Sequence, residues 1–345
     1  MTPIERVKAA IEAIKRGEMV IMMDDEDREN EGDLVYASVF STPAHVNFMA
    51  THAKGLICVA LSEATAKRLV LTPMVSSNTS AHETAFTVSV DAAEATTGIS
   101  AAERDLTIRI LADPLSRPEQ LARPGHIFPL IAKEGGTLVR TGHTEGSVDL
   151  CRLAGLSESA VICEVMKEDG TMARRDDLDA FGKRHDLVTV YISDIVEYRL
   201  ANETLVRAQS EEEIEFFGVK ANRYDFKDHD GNVHTAVVFY NVNETANVKV
   251  HNVIPDIDLL LNNHKYTRLI ESIDYLKHNG GVLVFINNPD AACGNMKEYG
   301  IGAQILKSLG VRHMRLLTDG TAPEFVGLAG FGLDVAEVIR LNSEI

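Results

Sequence analysis

The stretch DDEDRENEGD at residues 24–33 follows directly on the apolar run MVIMM at residues 19–23. Seven of its ten residues are acidic. Crowding so many carboxylates into one segment costs electrostatic free energy unless a cation or an arginine neutralises them. The run LVYASV at residues 34–39 then continues the chain as a second apolar strand. The sequence therefore predicts two buried strands joined by an acidic loop with a defined shape.

This loop has two other interpretations. A solvated turn between two strands accounts for most acidic runs, and the sequence leaves that interpretation open. A calcium loop of the EF-hand kind is excluded. Counting from Asp27 puts Gly32 at the required sixth position, but Ser38 falls at the twelfth, where a bidentate glutamate is needed. Magnesium, held by one or two carboxylates and by substrate oxygens, fits these hard oxygen ligands better.

The first half of the chain mixes helices and strands irregularly. The spacing of Ile4, Val7, Ile11 and Ile14 predicts a helix that Gly17 ends. Further strands are predicted at 56–61, 127–132, 160–164 and 187–192, and further helices at 43–54, 101–112, 143–154 and 194–200. This order predicts an α+β domain with a mixed sheet over residues 1–201.

The second half, residues 202–345, differs in the order of its predicted strands and helices. The acidic run SEEE at residues 210–213 lacks apolar residues and is interpreted as part of a linker at 202–214. After it, strands are predicted at 233–240, 248–253, 280–286 and 314–317, with helices at 268–279 and 301–309. Strand, helix and strand in alternation predict an α/β domain with parallel pairing.

Overall charge limits the classes of partner. The formal net charge is −17 over 345 residues, which repels nucleic acid and anionic membranes, so neither is expected as a partner. No secretory signal pattern and no apolar run long enough to span a membrane is present. The cysteines, Cys58, Cys151, Cys163 and Cys293, form no Cys-x-x-Cys pair. Reduced thiols in a cytoplasmic protein are therefore expected.

Two histidine motifs and a glutamate point to chemistry in the first half. The segment RPGHIFP at 123–129 is interpreted as a rigid turn that delivers His126 at the start of a strand. The segment RTGHTE at 140–145 places Arg140 and backbone amides before a helix, which favours an anion such as phosphate. Glu164 is the single charge in an apolar strand, which suits acid–base work, although a structural ion pair explains it equally well.

Together these motifs resemble those of the 3,4-dihydroxy-2-butanone 4-phosphate synthase family. The matching stretches are residues 24–33, 78–80, 96–104, 123–129, 140–145 and 169–174. They run in order along effectively the whole length of that family's domain. One departure is Glu103, where many members carry aspartate, and this change keeps the charge.

The resemblance implies the activity, which converts D-ribulose 5-phosphate to L-3,4-dihydroxy-2-butanone 4-phosphate and formate in riboflavin biosynthesis. It implies a lyase that binds this sugar phosphate, forms a homodimer, and uses Mg²⁺, with Mn²⁺ as an alternative, but no organic cofactor. Glu29 and His143 are implied as metal ligands. His126 and Glu164 are implied as the residues essential for catalysis, with Glu31 and Cys58 in less certain roles. The implied substrate contacts are Arg28, Glu29, Asp33, Arg140, Thr141, Gly142, His143, Thr144 and Glu164.

The second half resembles GTP cyclohydrolase II at residues 299–311 and 315–319. That family binds zinc through three closely spaced cysteines, yet the equivalent stretch here, HNVIPDID at 251–258, contains none, and Cys293 is isolated. The family's nucleotide segment is also replaced, near residues 287–290. The resemblance therefore implies a cyclohydrolase II-like domain without zinc and without that activity.

Overall fold

The structure is a computed structural model that describes residues 1–25, 28–228, 231–240, 242–287, 296–318 and 333–341, with the backbone alone at 296–299. The chain divides into two compact units, Met1–Tyr198 and Arg199–Ile345. Within the described ranges, each unit combines helices with a seven-stranded mixed sheet. Of the residues named above, Glu26, Asp27, Cys293 and the stretches 288–290 and 319 lie outside the described residues.

The first unit begins with a helix that is fixed at its start by local sequence. Thr2 caps the helix and Glu5 reaches back to the Thr2 backbone, while Pro3 occupies the first helical position. The helices of this unit are α1 (Pro3–Lys15), α2 (Pro43–Phe48), α3 (Glu63–Arg68), α4 (Ala101–Ala112), α5 (His143–Leu153), α6 (Arg175–His185) and α7 (Ile192–Asn202), and α7 includes the boundary between the units. A π-helical turn, Met49–Ala53, extends α2.

The strands of the first unit are β1 (Val20–Met23), β2 (Gly32–Ala37), β3 (Cys58–Leu61), β4 (Val90–Ala92), β5 (Leu121–Ile131), β6 (Ser159–Glu164) and β7 (Val188–Tyr191). Their order in the sheet is β4-β5-β3-β6-β2-β1-β7. The β1–β7 and β3–β5 pairs are parallel, and the other pairs are antiparallel.

Both faces of this sheet are covered, which explains why β1 and β2 are apolar along their length. One face packs Ile21, Leu34 and Tyr36 into a core with α2, α3, α4 and α6. The other face packs Val20 and Met22 into a core with α1, α5 and α7. Helix α5 lies on that second face, and its first residue, His143, lies near Asp33 at the start of β2.

The second unit contains strands β8 (Val206–Phe216), β9 (Val219–Asp228), β10 (Val233–Phe239), β11 (Thr245–Asn252), β12 (Gly281–Ile286), β13 (His313–Thr318) and β14 (Asp334–Arg340). Helices α8 (Asp256–Leu261), α9 (Asn263–Asn279) and α10 (Met296–Ser308) connect several of them. The sheet order is β14-β13-β11-β12-β10-β9-β8. Strands β11 to β14 pair in parallel, whereas β8, β9, β10 and β12 form antiparallel pairs.

The linker predicted at 202–214 is wrong. Residues 206–216 form β8, an edge strand paired along its length with β9. Its glutamates face cations or a hydroxyl on β9: Glu213 pairs with Lys220 at 2.9 Å, Glu212 with Arg223 at 3.5 Å, and the Tyr224 hydroxyl donates to Glu211. Charged side chains are common on edge strands, where they discourage pairing with another chain.

Candidate active site

The pairing of β2 with β6 creates the centre of the site. Asp33 lies directly opposite Glu164, so the two side chains leave the sheet on the same face. Cys58 on β3 is opposite Ile162, two residues before Glu164, and therefore shares that face. Three predicted site residues that are far apart in the chain are thus brought together by strand register.

The acidic loop is organised by its first carboxylate. Asp24 is buried, and its side chain accepts the backbone N–H groups of Glu29 at 3.2 Å and of Glu31 at 2.9 Å. Arg28 donates to Asp24 at 2.7 Å and also pairs with Glu29 at 3.0 Å. Arg174, which caps α6, donates to the carbonyl oxygens of Glu29 and Asn30. The described residues of the loop therefore form a folded turn with an internal counter-ion, and the interpretation as a merely solvated turn is wrong.

His143, the first residue of α5, faces this loop from the other side of the site. Its Nδ1 atom lies 3.7 Å from Glu29 Oε2, and its Nε2 atom lies 3.9 Å from Asp33 Oδ1. Both distances exceed that of a hydrogen bond. Among the described residues, His143 Nε2 and Asp33 Oδ1 are buried side-chain atoms without a hydrogen-bond partner. Buried polar atoms of this kind are costly unless a further ligand completes them.

One ligand atom from each of Asp24, Glu29 and His143 lies within 4.8 Å of the others. Two carboxylates and an imidazole form a donor set that suits a divalent cation. Glu29 and His143 are the metal ligands that the resemblance implies, whereas the sequence analysis names Asp24 only as part of the acidic loop. A sequence of consecutive carboxylates does not reveal which one turns inward, so this residue was missed.

Electrostatics separate the carboxylates of the site. Interaction with the His143 ring, helped by Arg28 and opposed by burial, lowers the pKa of Glu29 to about 2. Burial raises the pKa of Asp33 to about 7, against the attraction of His143. Burial, followed by the charge of Glu29, also raises the pKa of Glu31. Neighbouring carboxyl groups with different proton affinities can act as base and acid in one reaction.

Burial and neighbouring carboxylates have opposite effects on the pKa of His143. Burial disfavours its charged form, but the carboxylates of Asp33 and Glu29 outweigh that effect and raise the pKa of His143 to about 9. The Cys58 thiol is also buried, beside Glu164 and Asp33. Burial raises the pKa of Cys58 well above its usual value, so the sulfur stays protonated.

The start of α5 has the geometry expected for an anion site, but the nearby Arg140 side chain already pairs with other protein groups. Gly142 is the N-cap of α5, and the first amides of a helix lack acceptors within it. Arg140 pairs with Glu145 at 2.5 Å and donates to the carbonyl oxygen of His82 at 2.9 Å. Thr141 is partly buried and Thr144 is buried. Arg140 thus fastens the segment around His82 beside the helix start.

The predicted position of His126 is wrong in one respect. His126 lies in the middle of β5, which starts at Leu121, and not at the start of a strand. The cause is β4, which pairs with β5 and was not predicted from the sequence. Strand alternation still puts His126 on the same face as Phe128, which is opposite Cys58.

Glu164 differs from the fully buried carboxylate that its sequence context indicates. It is the last residue of β6 and is partly exposed. Its Oε2 atom accepts the backbone N–H of Leu56 at 2.8 Å. Gly55 lies so close that an added Cβ atom would fall 2.4 Å from the Glu164 carbonyl oxygen. No sequence motif marks Gly55, beyond its position after a predicted helix.

Residues 8–198, more than half of the chain, match the family model described as 3,4-dihydroxy-2-butanone 4-phosphate synthase. The protein of that name from Sulfurospirillum multivorans is 60% identical over 342 residues, covering 99% of this chain and 96% of the relative. The chain belongs to the 3,4-dihydroxy-2-butanone 4-phosphate synthase family. The family and the lyase class predicted from the motifs are therefore confirmed.

Solved structures related to this synthase family share the fold. The two-domain 3,4-dihydroxy-2-butanone 4-phosphate synthase RibBX from A. baumannii has a TM-score of 0.76 and 38% identity, covering 98% of this chain and 100% of its own. A second synthase, solved in complex with two magnesium ions, has a TM-score of 0.55 and 41% identity, covering 57% of this chain and 97% of its own. The two-domain organisation is thus shared with RibBX.

The second unit also has a relative. Residues 289–340 match the model described as GTP cyclohydrolase II, which confirms the resemblance predicted for this part of the synthase chain. The riboflavin biosynthesis protein RibBA of Bacillus subtilis is 41% identical over 375 residues, covering 98% of this chain and 94% of its own. Among the helices of the described ranges, none has both the length and the apolar content to cross a membrane.

Proposed function

We propose that this protein converts D-ribulose 5-phosphate to L-3,4-dihydroxy-2-butanone 4-phosphate and formate, as a step of riboflavin biosynthesis. The observation that carries the proposal is the approach of Asp24, Glu29 and His143 to one another beside the Asp33–Glu164 pair. This reaction needs several proton transfers next to a ketone, and a cluster of carboxyl groups and histidine with separated proton affinities can supply them.

Glu29 and His143 are proposed to hold Mg²⁺, or Mn²⁺ in its place, with Asp24 as a further ligand. The two buried atoms without hydrogen-bond partners, on His143 and Asp33, support this assignment. When bound, such a cation stabilises the negative charge that develops on the substrate's carbonyl oxygen. No zinc and no organic cofactor is proposed.

Substrate binding is assigned to residues on both sides of the group formed by Asp24, Glu29 and His143. Arg28 and Asp33 are proposed to contact the sugar hydroxyls, and Glu29 and Glu164 lie beside them. The amides at the start of α5, with Arg140, Thr141, Gly142 and Thr144, are proposed to hold the phosphate. Fixing both ends keeps the flexible sugar in one reactive conformation.

Proton transfer is assigned to His126 and Glu164, with Glu31 as a further exchanging group. The raised pKa of Glu31, caused first by burial, supports a group that can both hold and release a proton. Cys58 is proposed to shape the apolar floor of the site, because its raised thiol pKa argues against a thiolate.

At the level of the assembly, a cytoplasmic homodimer is proposed, with residues 1–201 as an α+β synthase domain and residues 202–345 as an α/β cyclohydrolase II-like domain. The second domain is proposed to lack cyclohydrolase activity, because residues 251–258 carry no cysteine. A supporting role in assembly or regulation is favoured for it. Incubation with GTP and zinc tests the proposed lack of cyclohydrolase activity. Release of pyrophosphate would contradict that proposal.

Formate release from ribulose 5-phosphate tests the main proposal. Glu29→Ala and His126→Ala are expected to abolish formate release in the presence of magnesium. Asp25→Ala is the matched control, because Asp25 is an exposed carboxylate of the same loop and should keep the rate. A normal formate yield from the first two variants would overturn the residue assignments, and no formate from the unaltered protein would overturn the function.

A further inference from the structure

His126 is held by a carboxylate that lies on the neighbouring strand. Asp91 Oδ1 accepts the backbone N–H of His126 at 2.9 Å, and Asp91 Oδ2 lies 2.8 Å from His126 Nδ1. The Asp91 side chain is 12% exposed, whereas that of His126 is 45% exposed. The carboxylate is therefore set behind a ring that points towards solvent.

The backbone around Asp91 is shaped for this contact. The register of β4 against β5 shifts between Val90 and Asp91, so that Val90 is opposite Ile127 while Asp91 is opposite Ala122. Such irregularities turn a side chain away from its regular direction. An added Cβ atom at Gly125 would lie 2.2 Å from the backbone nitrogen of Asp91, so only glycine permits this approach.

A second segment closes over the same carboxylate. Gly98, with φ of +77°, lies so near that an added Cβ atom would fall 2.0 Å from Asp91 Oδ2. Glu103 accepts the backbone N–H groups of Thr96, Thr97 and Gly98, which fixes this turn at the start of α4. The stretch 96–104, which matched the family without a stated role, thereby confines Asp91.

We propose that Asp91 is the positioning residue for His126, fixing both its ring orientation and its tautomer. An ionised carboxylate can only accept hydrogen bonds, so Nδ1 carries the proton and Nε2 of the neutral ring keeps its lone pair. That Nε2 atom then takes a proton from the substrate and returns it, while Asp91 faces the imidazolium formed in between. This inference rests on the role proposed above for His126.

Asp91→Asn is the main test, because it keeps the size of the side chain but offers an amide that can donate to Nδ1. The variant is expected to lose kcat for formate release by about 100-fold, with KM unchanged. Ser89→Ala is the matched control, since the Ser89 hydroxyl accepts the N–H of Gly125 in the same turn without touching His126. An equal loss of kcat in the control would overturn the inference.

A spectroscopic measurement separates positioning from simple structural support. In the ¹⁵N spectrum of the histidine rings, the signal of His126 is assigned by its absence in His126→Gln. The neutral ring is expected to carry its proton on Nδ1 in the unaltered protein and to populate the other tautomer in Asp91→Asn. The same tautomer in both proteins would overturn the inference.

A double variant completes the test. Asp91→Asn combined with His126→Gln should be no slower than His126→Gln alone, because residues that act as a unit are not additive. A further, additive loss would overturn the positioning role. Full activity of His126→Gln would instead overturn the proposed use of His126, and the tautomer measurement would still decide the role of Asp91.

Discussion

At the scale of single residues, Asp24 connects the folding of the acidic loop to its chemistry. Its carboxylate binds two backbone N–H groups of the loop and the guanidinium of Arg28, and one of its oxygens also lies within 4.8 Å of a possible ligand atom of Glu29 and of His143. The residue that gives the loop its shape is thus one of its candidate metal ligands.

Replacing Asp24 by asparagine is therefore expected to weaken magnesium binding more than its loss of one charge suggests. The amide has a single acceptor oxygen, so the N–H groups of Glu29 and Glu31 can no longer both be bound as before. We expect the affinity for Mg²⁺ to fall about 10- to 100-fold, as measured by titration calorimetry. Asp25→Asn removes an equal charge from the exposed neighbour and should bind as the unaltered protein does. Equal affinities in the two variants would show that Asp24 is not a ligand.

The substitution Gly55→Ala tests whether the close packing of Gly55 against Glu164 matters for stability and activity. An added methyl group in Gly55→Ala would fall 2.4 Å from the carbonyl oxygen and 2.6 Å from Oε2 of Glu164, so the end of β6 must move. We expect a loss of stability of about 1–3 kcal/mol in denaturant unfolding, together with a large loss of formate release. At Gly302 in α10 the nearest atom would be 3.9 Å away, so Gly302→Ala should not be destabilised. Normal activity in Gly55→Ala would mean that the position of Glu164 is not critical.

At the scale of elements, the sequence predicts those whose stability is local and misses those that depend on a neighbour. Helix α1 carries its own capping box and apolar stripe, and it was predicted nearly to the residue. Strand β8 is exposed on most of its length and looks like a linker, because its pairing with β9 leaves no apolar pattern. For the same reason, candidate site residues could be named from motifs, but the β2–β6 register that places Asp33 opposite Glu164 could not be predicted, since the pairing of distant strands leaves no local pattern.

The turn before α4 is expected to make the stability of the protein depend on pH, through the carboxylate of Glu103. Hydrogen bonds from Thr96 and then Thr97 lower the pKa of Glu103 to about 2. Because the folded form holds the charged carboxylate more tightly than the unfolded form does, this stabilisation is present above pH ~4.5 and is lost as the pH falls towards 2. We expect Glu103→Gln to be less stable than the unaltered protein at neutral pH, with the difference in Tm shrinking below pH ~4.5.

The matched control for this effect is Glu94→Gln, which changes an exposed glutamate in the loop before the same turn. Its Tm should follow that of the unaltered protein at every pH in thermal melts followed by circular dichroism. A difference between Glu103→Gln and the unaltered protein that stays constant down to pH 2 would contradict the assignment of the effect to this carboxylate.

At the scale of the whole molecule, the two units have separate cores. The sheet of the first unit is buried on both faces by its own helices, and the core of the second unit is formed by β-strands and α9 of that unit. Every candidate site residue lies in the first unit. Two domains could be predicted from length and from the change in motif, because each stretch carries its own apolar patterns. The role of the second unit could not, because the lack of cysteine at residues 251–258 argues against zinc-dependent hydrolysis without indicating another activity.

Truncation after residue 202 is the experiment that separates the contributions of the two units. That end point keeps α7 whole, and it leaves both cores of the first sheet and all candidate site residues in the fragment. We therefore expect the fragment to fold cooperatively and to keep magnesium-dependent formate release. If the second unit has a supporting role, either the rate or the dimer mass measured by light scattering should fall below that of the full chain. A fragment with the same rate and the same dimer mass would contradict that role, because the synthase unit would then assemble and work without its neighbour.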